Sequence, residues 1–229
     1  MKRRRKDKKM KITAEMIRAN EDIRTYIACA DESMKALGYT EHSFAHVTKV
    51  AEEAKNMLAK LGYDERTCEL GWIAGYMHDI GNVVNRADHA QSGALMTFRI
   101  LDKMGMDPQE TAMIITAIGN HDEGTAFPVN AVAAALILAD KTDVRRSRVR
   151  GSDMTQFDIH DRVNYAVTTS RLQVDAEKKY ISLYLTIDGD ISAVADYFEI
   201  FLGRMLLSRK AAAKLGCEFS LIINGQTLM

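Results

Sequence analysis

The stretch GYMHDIGN, residues 75–82, ends an apolar helical run, Leu70–Met77, in two side chains that bind metals, His78 and Asp79. Polar ligands at the end of an apolar helix are costly unless something satisfies them. Four residues elsewhere in the chain are candidate partners: His46, His89, His121 and Asp140. Asp140 follows the uninterrupted apolar run Ala131–Ala139, where a carboxylate needs a cation or several hydrogen bonds. Taken singly, His46 reads as a capped or core histidine, His121 as a helix-end histidine, and His89 says little. Taken together, imidazoles and carboxylates suit zinc, iron, manganese or cobalt, and helical bundles build such sites in their cores. The six are therefore read as one metal site assembled by packing helices.

The elements that must position these residues are legible from helical periodicity between Thr13 and Gly151. Helices are expected at about 13–37, 43–61, 65–80, 89–104, 108–119 and 130–147. Four of the expected helix ends fall at a glycine, Gly38, Gly62, Gly105 and Gly216, a residue that takes the left-handed conformation closing a helix. Ser43, Asp107 (followed by Pro108) and Asn130 are expected caps at helix starts. After Val163 the pattern changes to alternation, in Val163, Tyr165 and Val167 and again in Ile181, Leu183, Leu185 and Ile187, which predicts half-buried strands. A hairpin turn is expected at 175–179, a helix at 191–215 capped by Asp190, and a last strand at Phe219–Ile223. The fold class expected is mainly α, a helical core over 13–160 followed by a small β-β-α-β unit over 161–229.

Composition narrows the function. Apolar residues make up 47% of 229, enough for a substantial core. The formal charge of zero hides an asymmetry: eight of the first eleven residues are Lys or Arg, leaving 23 basic and 30 acidic side chains in 12–229, a net charge of −7. The body is thus not a general nucleic-acid binder. The basic head, residues 1–12, reads as a solvated, disordered tail, with contact to RNA or an anionic surface as the sharper alternative. It has no apolar segment behind it and does not read as a signal peptide. No stretch reaches the ~18 apolar residues of a membrane span. Cys29, Cys68 and Cys217 are odd in number and widely spaced, the pattern of buried thiols in a reducing cytoplasm.

The series His46, His78-Asp79, His89, His121, Asp140 resembles the HD superfamily of metal-dependent phosphohydrolases, whose signature is H…HD…D on a helical core. The resemblance covers roughly residues 40–150. It implies that His46, His78, Asp79 and Asp140 hold a first metal, and that His89 and His121 stand where two-metal members bind a second, with Asp79 bridging. Locally, HDIGN resembles the HDIGK of HD-GYP cyclic-dinucleotide phosphodiesterases. AIGNHDEG and ILADKTDVRRSR resemble segments of HD-type diadenosine tetraphosphate hydrolases. Asn82 replaces the lysine of HDIGK and the GYP element is absent, with Phe127-Pro128 as its remnant, which argues against a cyclic-dinucleotide substrate.

The function expected from this resemblance is hydrolysis of a phosphoester or phosphoanhydride of a nucleotide by a hydroxide bridging two divalent transition metals. Asp79 and Lys141 are the expected catalytic residues. Arg86, Lys141 and Arg145 are the expected grips on phosphate, the last two as an i, i+4 pair on one helix face. Asp122 and Glu123 are candidates to orient water or the leaving group. No G-x-S-x-G and no phosphate-binding Gly-rich loop is present. His160-Asp161 lacks spaced partners and reads as a surface or domain-junction pair. The rival reading is a metal-stabilised, non-catalytic module that binds a nucleotide or RNA. The C-terminal strands are a candidate homodimer surface.

Overall fold

Helix α7, Ala131–Lys141, is the axis of the molecule. Val132 to Ala139 are all buried, so this helix has no solvent face and must be surrounded. The computed structural model describes residues 11–151 and 153–229, and around α7 it packs α3 (Phe44–Lys60), α4 (Glu65–Met77), α6 (Pro108–Gly119) and α9 (Val194–Lys214). Two helices, the short α1 (Ala14–Ala19) and α2 (Glu21–Ala36), precede them, and α5 (His89–Lys103) packs on α6. The head lies outside the described residues except at its end. There Ile12 is fully buried and Lys11 pairs with Glu69 at 3.2 Å, so the last two residues of the expected tail belong to the fold.

Local chemistry explains most boundaries. Ser43, Asp107 and Asn130 cap their helices as expected, and Gly38, Gly62, Gly105 and Gly216 all have positive φ. The helix expected over 13–37 is broken at Asn20, whose side chain accepts from the Ile23 amide and starts α2 afresh. The helix expected to reach 147 stops at Lys141. Thr142 turns its hydroxyl back to the Leu138 carbonyl at 2.6 Å, and Asp143 is drawn inward to the imidazole of His46 at 2.9 Å. The Lys141–Arg145 helical pair therefore does not exist.

The strand expected around Val163 is instead α8, Ile159–Ala166, capped by Asp158, and it spans the boundary expected at 160/161. Val163 and Ala166, three apart, share its buried face. The sheet follows in the order β1 (Val167–Asp175), β2 (Tyr180–Ile187), β3 (Glu218–Ile223), β4 (Gln226–Thr227). β1 and β2 form the expected hairpin, and α9 crosses over to set β3 parallel to β2. Ala193, not Asp190, precedes α9, without a side-chain cap. One apolar core runs from Ile12 through α7 to Ile223. Cys68 and Cys217 are buried as expected, but Cys29 is exposed. Among the described residues no helix is long and apolar enough to cross a membrane.

Candidate metal centre

Two glycines bring the histidines together. A Cβ on Gly75 would lie 2.6 Å from the Cα of Ala51, so α3 and α4 touch backbone to backbone and bring His46 beside His78. A Cβ on Gly81 would lie 2.0 Å from the carbonyl oxygen of His89, so the 3-10 turn Ile80–Val83 is pressed onto the start of α5. Asp88, immediately before His89, has φ 56°, a left-handed conformation that aspartate adopts more readily than most residues other than glycine.

All six residues expected as ligands converge. His46, His78, Asp79, His89 and His121 are each less than 5% exposed. One oxygen of Asp79, Oδ2, lies 3.3 Å from His78 Nε2 and 3.7 Å from His46 Nε2. The other, Oδ1, lies 3.5 Å from His89 Nε2 and 3.8 Å from His121 Nε2. Asp140 Oδ1 faces only the first pair, 3.4 Å from His46 and 3.7 Å from His78. Two overlapping sets have ligand atoms within 4.8 Å of one another, His46/His78/Asp140 and His78/Asp79/His121. His89 is outside both sets but sits 3.2 Å from His121, Nε2 to Nε2.

Every one of these imidazoles is held by its other nitrogen. Nδ1 donates to Asp143 in His46 (2.9 Å), to the Gly75 carbonyl in His78 (2.8 Å), to the Arg86 carbonyl in His89 (3.0 Å) and to the Ile118 carbonyl in His121 (2.6 Å). A carbonyl has no proton to give, so Nδ1 carries the hydrogen and Nε2 presents its lone pair to the centre, as in metal-ligating histidines. Four lone pairs then face each other and two carboxylates. The Nε2 atoms of His46 and His78 are buried without a hydrogen-bond partner. Such an all-acceptor centre fits a cation and is costly without one or added protons.

The electrostatics agree. Burial opposes ionisation of Asp79, but His78 and the other imidazoles win and hold its carboxyl well below the usual range. Burial likewise opposes ionisation of Asp140, and Lys141 together with His46 and His78 outweighs it. Burial lowers His89 to about 4, and it also lowers His121, so both imidazoles are neutral at pH 7. For His78 burial is overcome by Asp79 and Asp140, and its affinity for a proton is raised.

A cavity of about 420 Å³ opens onto Asp79, His89, His121 and Asp140. Arg86 and Lys141 line it. Arg86 is held 3.3 Å from Asn82 and over the ring of Tyr39, and Lys141 Nζ lies 2.7 Å from Asp140 Oδ2. Arg145 is not brought to the cavity; it pairs with Asp143 and Glu41 at 3.0 and 3.3 Å. Asn82, fully inside, donates to the Asp79 carbonyl at 3.0 Å and so joins Arg86 to Asp79. Asp122 approaches His89 only at 4.0 Å.

The sequence reading missed the rest of the wall. His42 lines it, with Nδ1 bound to the Thr40 carbonyl at 2.6 Å and its proton affinity lowered by burial and by Arg148. His160 and Asp161 line the cavity as well, together with Phe201 and Arg204 from α9. The pair is thus a junction, but one facing the candidate site. Asp143 had a readable signal, a second aspartate in ADKTD; Phe201 and Arg204 had none.

No family model matches the chain. The uncharacterised protein MJ1020 of Methanocaldococcus jannaschii is 27% identical over 195 residues, which cover 75% of this chain and 74% of that one. Ribonuclease Y of a Sulfurovum species is 28% identical over 140 residues, 60% of this chain but 25% of the enzyme. The crystal structure of a predicted HD superfamily hydrolase from an uncultured Thermotogales bacterium shares 25% identity at a TM-score of 0.43, covering 57% of this chain and 73% of that one.

Proposed function

We propose that this chain is a metal-dependent phosphohydrolase of the HD type that holds two divalent transition metals, iron, manganese, zinc or cobalt, and cleaves a phosphoester or phosphoanhydride of a nucleotide. The observation that carries the reading is the all-acceptor centre, with the two oxygens of Asp79 turned to opposite pairs of histidines. His46, His78, Asp79 and Asp140 would hold one ion, and His89, His121 and Asp79 the other. Divalent cations there would supply Lewis acidity toward a phosphate group and an attacking water. Arg86 binds phosphate oxygens beside His89, and Lys141 does so beside Asp140. The half-buried, neutral imidazole of His42 accepts a hydrogen bond from whatever enters. A cavity of about 420 Å³ is in the range that takes a drug-sized organic molecule, so it offers room for more than a phosphate ion. The match to ribonuclease Y puts RNA phosphodiesters on the substrate panel beside mononucleotides. Free, widely separated cysteines support a cytoplasmic setting.

The test is metal content and turnover. The purified protein is expected to carry transition metal and to release phosphate or a nucleotide from at least one member of the panel when manganese, iron or cobalt is supplied. His89→Ala and His121→Ala are expected to remove one ion and most turnover, and His46→Ala to remove the other ion. A protein that binds no transition metal and turns over nothing sinks the proposal. Tight nucleotide binding without release would make it a binding module.

A further inference from the structure

Glu123 sits in the turn between α6 and α7, and one of its carboxylate oxygens serves two cations of the cavity wall. Oε1 accepts from the Nε of Arg204 and lies 4.0 Å from Nζ of Lys141. Lys141 is 5% exposed, and both cations line the cavity. Arg204 comes from α9, where its guanidinium lies over the ring of Phe201 at 4.3 Å. Beside the Asp140 half of the metal centre there is thus a pair of cations from two elements, with an internal carboxylate between them.

We infer that Lys141 and Arg204 form a phosphate subsite and that Glu123 is its internal occupant, displaced when substrate binds. A carboxylate and a phosphate oxygen offer the same cations the same charge-assisted hydrogen bonds, and a guanidinium fork suits either. Glu123 is free to leave, because its side chain is 34% exposed and its turn is closed without it by Phe127 to Asn120 and Thr125 to Asp122 backbone bonds. Arg86 stands at the other half of the centre, 3.4 Å from His89 Nε2. Two separate cationic places suit a substrate with two phosphates, one attacked at the centre and one held by Lys141 and Arg204. The subsite rests on the phosphohydrolase reading for the identity of the anion, and it narrows the substrate class to compounds with two phosphate groups, of which a phosphoanhydride is the smallest.

Calorimetry on the full-length protein loaded with manganese, with inorganic phosphate and with pyrophosphate, tests this. The wild type is expected to bind pyrophosphate more tightly than phosphate. Arg204→Ala is expected to weaken pyrophosphate binding roughly 10-fold with little effect on phosphate, since it removes one charge-assisted contact. Arg204→Lys keeps part of it. Glu123→Gln is expected to tighten pyrophosphate binding several-fold, because the competing anion is gone. If Glu123 were only a tether for its turn, Glu123→Gln would weaken binding, and that result overturns the inference, as does an Arg204→Ala protein that binds pyrophosphate like the wild type. Turnover of pyrophosphate, a nucleoside diphosphate and p-nitrophenyl phosphate with manganese reports separately on hydrolysis. Hydrolysis without the pyrophosphate preference removes the subsite alone; the preference without hydrolysis removes the enzyme reading alone.

Discussion

The two halves of the candidate centre are built differently. His46, His78 and Asp140 stand on or at the end of α3, α4 and α7, three helices of the central core, and His46 is oriented by a carboxylate, Asp143, that is itself fully buried. His89 and His121 stand where a helix begins and where one has just ended, and backbone carbonyls orient them. Residue 88 before the first has positive φ, and turns follow the second. The first half shares its rigidity with the hydrophobic core. The second depends on how a few residues of turn are held against α5 and α6. Asp79 belongs to both, one oxygen to each, and His78, which stands in both overlapping ligand sets, helps it make them a single unit.

That contrast can be broken most completely at Asp79. Asp79→Asn removes the charge that both halves share, and is expected to lower turnover by roughly 10³-fold and to reduce metal content at both positions. Retention of one full equivalent of metal, measured by elemental analysis, would show the halves to be independent. Gly81→Ala comes next. The added Cβ meets backbone atoms, His89 O at 2.0 Å and Gly93 N at 2.5 Å, which do not move as a side chain does. The start of α5 must shift, so the variant is expected to lose about 1–3 kcal/mol of stability and the metal of the His89/His121 half, while the His46/His78 half still binds. Thermal unfolding and metal titration read the two effects. Asp143→Asn is the mildest. It leaves the fold but weakens the hold on His46 Nδ1, and is expected to cost 10–100-fold in metal affinity at the first half, in the way outer-shell partners of ligating histidines do, roughly. An equal loss at both halves would contradict the division.

Legibility in the sequence followed the range of the interactions. Ser43, Asp107, Asn130 and the four closing glycines act within one turn of chain, so their types and spacing sufficed. The same reading missed β4, although Asn224-Gly225, both at positive φ, is the two-residue turn signal of a hairpin. At Val163–Val167 alternation was outweighed by a local competitor, the Asp158 cap, whose carboxylate accepts from the Asp161 amide at 2.8 Å and starts a helix. Arg145 was misplaced because the end of α7 is decided by Asp143, and Asp143 is turned inward by a histidine 97 positions away.

The sequence alone determined the six ligand candidates, since buried imidazoles and carboxylates at the ends of apolar helices have few other uses, and it determined the helices that carry them. It also determined that the C-terminal third differs in kind from the rest. Only the tertiary structure decided which oxygen of Asp79 faces which histidines, that every Nδ1 is tethered so that every Nε2 points inward, and that α8 and α9 close the cavity with His160, Phe201 and Arg204. The physical reason is that ligand identity is a property of single residues in local patterns, whereas orientation and enclosure depend on contacts such as Gly75 against Ala51 and Arg204 against Glu123, made between elements that the chain brings together only when it folds.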